Sequence, residues 1–142
     1  MSEKKKKQIE IMVRTYSPAV QYYFDYLGFL HKLISNNILT PYWLNMDNII
    51  SIAKNSPIVS EDLSVLSERF ATFTNNRYLM GAKDNPYLLV EDILKNGYYV
   101  PMLSQSNNGR FCNGSHRIGS LIAYHKNIQP ITKNFLCLCF ND

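Results

Sequence analysis

A chain of 142 residues, 46% apolar and 18% charged, can bury a core without disulfides or a structural metal, and its composition excludes disorder as a description of the whole. Its net charge of +4 is matched by Lys4, Lys5, Lys6 and Lys7 alone, so the body is neutral and the run reads as a solvated tail, with a nucleic-acid arm the lesser reading. No apolar run approaches the roughly 20 residues of a membrane span, and Glu10 would interrupt any signal-like core, so a cytoplasmic single domain (1–142) is expected, with no membrane partner.

In chain order, Ile9, Ile11 and Val13 alternate with Glu10, Met12 and Arg14, a period-two pattern that predicts a short strand. From Ser17-Pro18, the apolar positions Val20, Tyr23, Phe24, Leu27, Leu30 and Ile34 predict a long amphipathic helix stopped by Asn36-Asn37. The aromatics Tyr22, Tyr23, Phe24, Tyr26 and Phe29 fit its core face better than a stacking surface for bases. A second helix is expected from Asn45 or Asp47, carrying Ile49, Ile50 and Ile52 and ending before Asn55-Ser56-Pro57. A third is expected with Ser60 as N-cap, Glu61 and Asp62 at the positive end of its dipole, and Leu63, Leu66 and Phe70 buried.

Turn-rich stretches at 74–77 and 81–86 then separate a mainly helical part, 1–82, from a mixed part, 83–142, and suggest a lobe boundary. Pro86 opens a helix through Leu88, Leu89, Ile93 and Leu94 that Asn96-Gly97 closes. Tyr98 to Ser104 reads as extended, with Pro101 at an edge or strand start, and Ser106-Asn107-Asn108-Gly109 as a hairpin turn into Arg110-Phe111-Cys112. A helix with Ile118, Leu121, Ile122 and Tyr124 buried follows to about Asn127, and Phe135 to Phe140 forms a last strand. The three cysteines fit neither a disulfide framework nor a four-ligand zinc site, and Cys137 and Cys139 share a strand face as small packed hydrophobes. No residue set reads as a metal site.

The chemistry concentrates at Asn113-Gly114-Ser115-His116-Arg117, where a strand turns into a helix. Gly114 permits a tight turn, the free N–H groups and the helix dipole favour an anion, Ser115 adds a hydroxyl donor, and Arg117 adds a forked permanent charge.

The order helix, Asn-Gly, strand with proline, hairpin, strand, Gly-x-His-Arg, helix and strand, over residues 83 to 140, resembles the ParB/sulfiredoxin-like superfamily. The resemblance implies an α+β fold, a small mixed sheet with helices, here preceded by a helical N-terminal half. It implies that Asn113, Gly114, Ser115, His116 and Arg117 bind the phosphates of ATP or another NTP, with Mg²⁺ bridging them, and that Pro101 is architectural. Ser115 stands where the sulfiredoxin relatives carry their reactive cysteine, which argues against sulfinic-acid reduction, and Cys112 is expected to be packed. Asn113 replaces the common acidic residue. The chain ends at Asp142, soon after the last strand, so a partition-type helix-turn-helix reader is not expected.

Free-serine kinases of this superfamily use a carboxylate to deprotonate a substrate hydroxyl. Asp84, Glu91 and Asp92 are the candidates here; Glu91 and Asp92 are expected to face solvent, so Asp84 is preferred, with His116 as the second candidate catalytic group. The leading expectation is an ATP-dependent phosphotransferase acting on a small hydroxyl or amino-acid substrate. The alternatives are a non-catalytic nucleotide sensor docking a protein partner through residues 1–82 and, least favoured, a DNA-binding protein.

Overall fold

The computed structural model describes residues 2–16, 23–71, 85–96, 102–105, 109–113 and 115–141, with the backbone alone at 12–16, 23–26, 69–71, 96, 113, 115 and 116. The first helix, α1 (Glu3–Tyr16), corrects two expectations, the strand at 9–13 and the free lysine tail. Its start is capped by Ser2, whose hydroxyl accepts the Lys5 N–H at 3.2 Å and whose carbonyl accepts the Lys6 N–H at 3.1 Å. The ion pairs Glu3–Lys6 (3.8 Å) and Lys7–Glu10 (3.7 Å) stand at helical i,i+3 spacing. Ile9 is buried while Ile11 is exposed, so the alternation does not define a buried face.

The helix α2 (Tyr23–Ser35) ends where the Asn-Asn pair foretells. Asn37 adopts a left-handed φ of 58°, the Ile38 N–H reaches the Leu33 carbonyl at 2.9 Å, and the Asn37 N–H reaches that of Ile34 at 3.1 Å, a Schellman closure. Leu30 and Leu33 are buried and Phe29 and Ile34 pack against the same core, whereas Leu27, expected inside, is exposed. Residues 17–22 of the expected helix, with Val20 and Tyr22, lie outside the described residues, as do the side chains of Tyr23, Phe24 and Tyr26.

The sequence reading assigns no element to the next segment, which forms β1 (Leu39–Leu44). It is an edge strand, the setting in which Pro41 is tolerated because its missing donor faces away from the ladder. Asn141 locks its start: its N–H donates to the Ile38 carbonyl, its amide to the Asn37 carbonyl, and its side-chain oxygen accepts from Thr40.

The helix α3 (Met46–Ala53) starts as expected at Asn45, in a reciprocal capping box with Asn48. In α4 (Leu63–Ala71) the cap is Asp62, not Ser60: the Asp62 carboxylate accepts the Ser64 and Val65 N–H groups, and the Ser60 hydroxyl instead accepts the Asp62 N–H. The later start leaves Leu63 exposed, while Leu66 is buried and the Phe70 side chain lies outside the described residues.

The helix α5 (Tyr87–Asn96) follows buried Pro86, with Leu89, Val90 and Ile93 inside and Leu88 exposed. The strands β2 (Met102–Ser104) and β3 (Phe111–Asn113) pair antiparallel as the expected hairpin. Gly97, Pro101, Ser106, Asn107 and Asn108 lie outside the described residues. The helix α6 (Ser115–Asn127) and β4 (Phe135–Phe140) complete the chain.

The four strands form one mixed sheet in the order β1-β4-β2-β3, with β4 antiparallel to β1 and parallel to β2. Because β1 pairs with β4 from Leu39↔Phe140 to Leu44↔Phe135, the mainly helical part and the mixed part share a sheet, and the suggested lobe boundary does not separate two structures. The fold is α+β. β4 is covered on both faces, which is why it reads as an unbroken apolar run. One face carries Met102, Phe111, Phe135 and Cys137 into a core with α3, α4, α5 and α6; the other carries Leu39, Leu103, Leu138 and Phe140 into a smaller core with α1 and α2. α6 is the inner helix of the larger layer, buried continuously from Ile118 to Tyr124, and packs against α3, α4 and α5.

Candidate anion-binding site

The phosphate turn expected from sequence falls where β3 passes into α6. Asn113 ends β3, opposite Leu103 of β2, and Ser115 begins the helix; Gly114 and the side chains of Asn113, Ser115 and His116 lie outside the described residues. Arg117 stands in the first turn of α6 and is half-buried, and that turn holds no acidic residue. The first turn of α6 thus carries the positive end of the helix dipole and one arginine, and no acidic side chain of its own.

The scaffold beneath this turn is fixed from two sides. Ser56 is buried and its hydroxyl does two jobs: it donates to the Ile52 carbonyl at 2.9 Å and accepts the Phe111 N–H of β3 at 2.8 Å. That bond satisfies a buried donor on the sheet's outer edge. On α6, Gly119 faces the loop before α4, and a Cβ there would overlap the Ser60 carbonyl oxygen. The absence of a side chain lets backbone approach backbone.

Of the candidate acids, Glu91 and Asp92 stand on α5. Asp84 lies outside the described residues, but its neighbour Asn85 caps α5, its side chain accepting the Tyr87 N–H at 3.1 Å. Tyr87 meets the far end of α6, with its ring 5.9 Å from that of Tyr124 and its hydroxyl 3.4 Å from Asn127. About 10 Å of helix rise separates Tyr124 from Arg117. Glu91 is exposed, as expected, and Asp92 is half-buried. The carboxylate brought to β3 is one that the sequence did not signal, Glu10 of α1, which is mostly covered beside Cys112 and paired with Lys7. A strand reading of 9–13 hides it, and no local pattern links residues so far apart in the chain.

Cys112 is packed rather than reactive. Burial pushes its thiol up to about 12, and the charge of Glu10 adds to that shift; burial likewise lifts Cys137 to about 11. Cys137 sits in the larger core beside the Ser104 hydroxyl at 3.5 Å, and Cys139 contacts the Gln105 carbonyl at 3.1 Å. Among the described residues, no three His, Cys, Asp or Glu side chains gather in a metal-holding group, and no helix is long and apolar enough to cross a membrane.

The chain matches no family model, no curated protein and no solved structure.

Proposed function

We propose that this chain is a nucleotide-binding protein of the ParB/sulfiredoxin-like type, with the Asn113-to-Arg117 turn gripping the phosphates. The observation that carries the reading is the half-buried Arg117 in an acid-free first turn of α6, directly after an edge strand. The succession α5, β2, β3, α6 and β4 follows the order on which the resemblance rests. A nucleoside triphosphate suits this donor set: backbone N–H groups of residues 114–117, the Ser115 hydroxyl and the Arg117 guanidinium would hold its phosphates, and Mg²⁺ would be bridged by the phosphates themselves. When bound, the nucleotide would supply a transferable phosphoryl group.

On this reading the protein is a phosphotransferase for a small hydroxyl or amino-acid substrate, and the acid that deprotonates the acceptor is the open role. Asp84 and His116 remain the candidates from sequence, and Glu10 joins them because it approaches the strand that leads into the turn. The second reading is a nucleotide sensor without turnover. Titration calorimetry with ATP and CTP, with and without Mg²⁺, tests the common premise: wild type should bind and Arg117→Ala should lose at least tenfold in affinity. Equal binding by both would remove the turn from the account. Turnover across a panel of hydroxyl acceptors, set against none, separates enzyme from sensor.

A further inference from the structure

The lysine run has a use that the nucleotide turn does not absorb. Lys4, Lys5 and Lys7 are exposed on the first two turns of α1, while Lys6 is turned inward, 12% exposed, with its ammonium 5.9 Å from the ring centre of Phe140. These cations stand at the positive end of the helix dipole, where lysine is disfavoured and acids are preferred. Glu3 and Glu10 pair with Lys6 and Lys7 and leave Lys4 and Lys5 uncompensated by any ion pair shown. Helix formation alone gives no reason for the concentration, and local rules are broken most often where a surface has work to do.

The position of α1 extends the patch. The Gln105 N–H donates to the Arg110 carbonyl at 3.0 Å, carrying the β2–β3 pairing one step beyond the strands. Ser104 is aligned with Cys139, so Gln105 and Arg110 continue the row of Phe140, the residue over which Lys6 lies. Arg110 is exposed there. Three lysines and an arginine thus border one end of the sheet, anchored by Ile9 and by the stem of Lys6 instead of swinging on a free tail.

We infer that the outer face of α1, through Lys4, Lys5 and Lys7 with Arg110 beside them, binds the phosphate backbone of a nucleic acid without reading its sequence. The lysines lie along one helix within a few ångströms of rise, and a repeating line of phosphates offers such a stripe a charge at each step. A lipid surface fits less well. Among the described side chains of α1, Ile9 is spent on the sheet, and Ile11 is the one large apolar group on the outer face. The inference does not rest on the nucleotide turn.

Fluorescence anisotropy of the full chain with a labelled 20-base-pair duplex, across a salt series, tests it. The association constant should fall with salt with a log–log slope of about −3 to −4. The triple variant Lys4→Gln, Lys5→Gln, Lys7→Gln should lose at least tenfold in affinity at low salt and about 3 from the slope, while still melting cooperatively as a folded protein, because all three side chains are exposed and Lys7–Glu10 is the one ion pair shown among them. Arg117→Ala should leave both quantities as in wild type, so failure here is distinguishable from failure of the nucleotide reading. A wild-type slope near zero would overturn the proposal without recourse to any variant. So would unchanged binding by the triple variant, equal competition by polyglutamate, or preferential capture by phosphatidylserine-containing vesicles.

Discussion

The two faces of the sheet are covered by helices that do different work. On the side of α3 to α6, the core residues Ile49, Leu66, Val90, Ile93, Ile118 and Leu121 are completely enclosed, and Ser56 and Gly119 tie the connecting loops to β3 and α6. Among the described residues on the side of α1 and α2 the cover is thinner: Ile9, Leu30 and Leu33 keep 5%, 6% and 8% of their surface, and Ile11 and Leu27 face solvent. The thick layer is therefore the platform that holds the N-terminus of α6 in place, and the thin layer presents charge.

That contrast predicts unequal sensitivities. Leu66→Ala, in the thick layer, should cost about 4 kcal/mol in urea unfolding, from lost burial and a cavity its neighbours cannot close. Ile9→Ala, in the thin layer, should cost about 2 kcal/mol, because the partly open site can relax. Equal losses would erase the distinction. Next comes Gly119→Ala, expected to cost about 3 kcal/mol: its Cβ meets backbone at Ser60 and no side chain can swing aside to admit it. If its unfolding midpoint matched wild type, the close approach of α6 to the loop before α4 would be wrong.

Ser56→Ala should cost about 2 kcal/mol, since it strands the Phe111 N–H. Ser56→Thr keeps the hydroxyl, so recovery of most of that loss would assign it to the hydrogen bond. The smallest effect concerns Asp62, whose carboxylate the Ser64 hydroxyl, then the Val65 and Ser64 N–H groups, hold below its ordinary pKa of 3.8. The folded value lies below the unfolded one, so the stabilisation is present above pH 3.8 and is lost as pH falls through the folded value. The melting temperatures of wild type and Asp62→Asn should therefore converge in acid; a constant gap would contradict the capping role.

The same contrast explains what could be read from the chain alone. The thick layer was legible because its signals are local: the Asn45 cap, the apolar spacing of Ile118, Leu121, Ile122 and Tyr124, and the unbroken run of β4. In the thin layer local signals compete. The alternation of Ile9, Ile11 and Val13 speaks for a strand, yet Ser2 capping and the i,i+3 charge pairs accompany a helix, and burial of Ile9 against the sheet favours it. β1 was hidden because Pro41 argues against a strand unless the strand is known to lie at an edge, and that depends on β4, which lies far along the chain. The candidate site divides likewise. Its strand-to-helix position was legible from Gly114 and the flanking patterns, whereas the approach of Glu10 to β3 depends on packing between the two ends of the chain.

Amide chemical-shift mapping by NMR tests most directly whether the first turn of α6 is a phosphate site. On titration with Mg²⁺–ATP, the amides of Ser115, His116 and Arg117 should shift saturably, more than those elsewhere on α6, and Arg117→Ala should weaken the response at least tenfold. Saturable shifts centred on another part of the molecule, with these three amides unmoved, would contradict it.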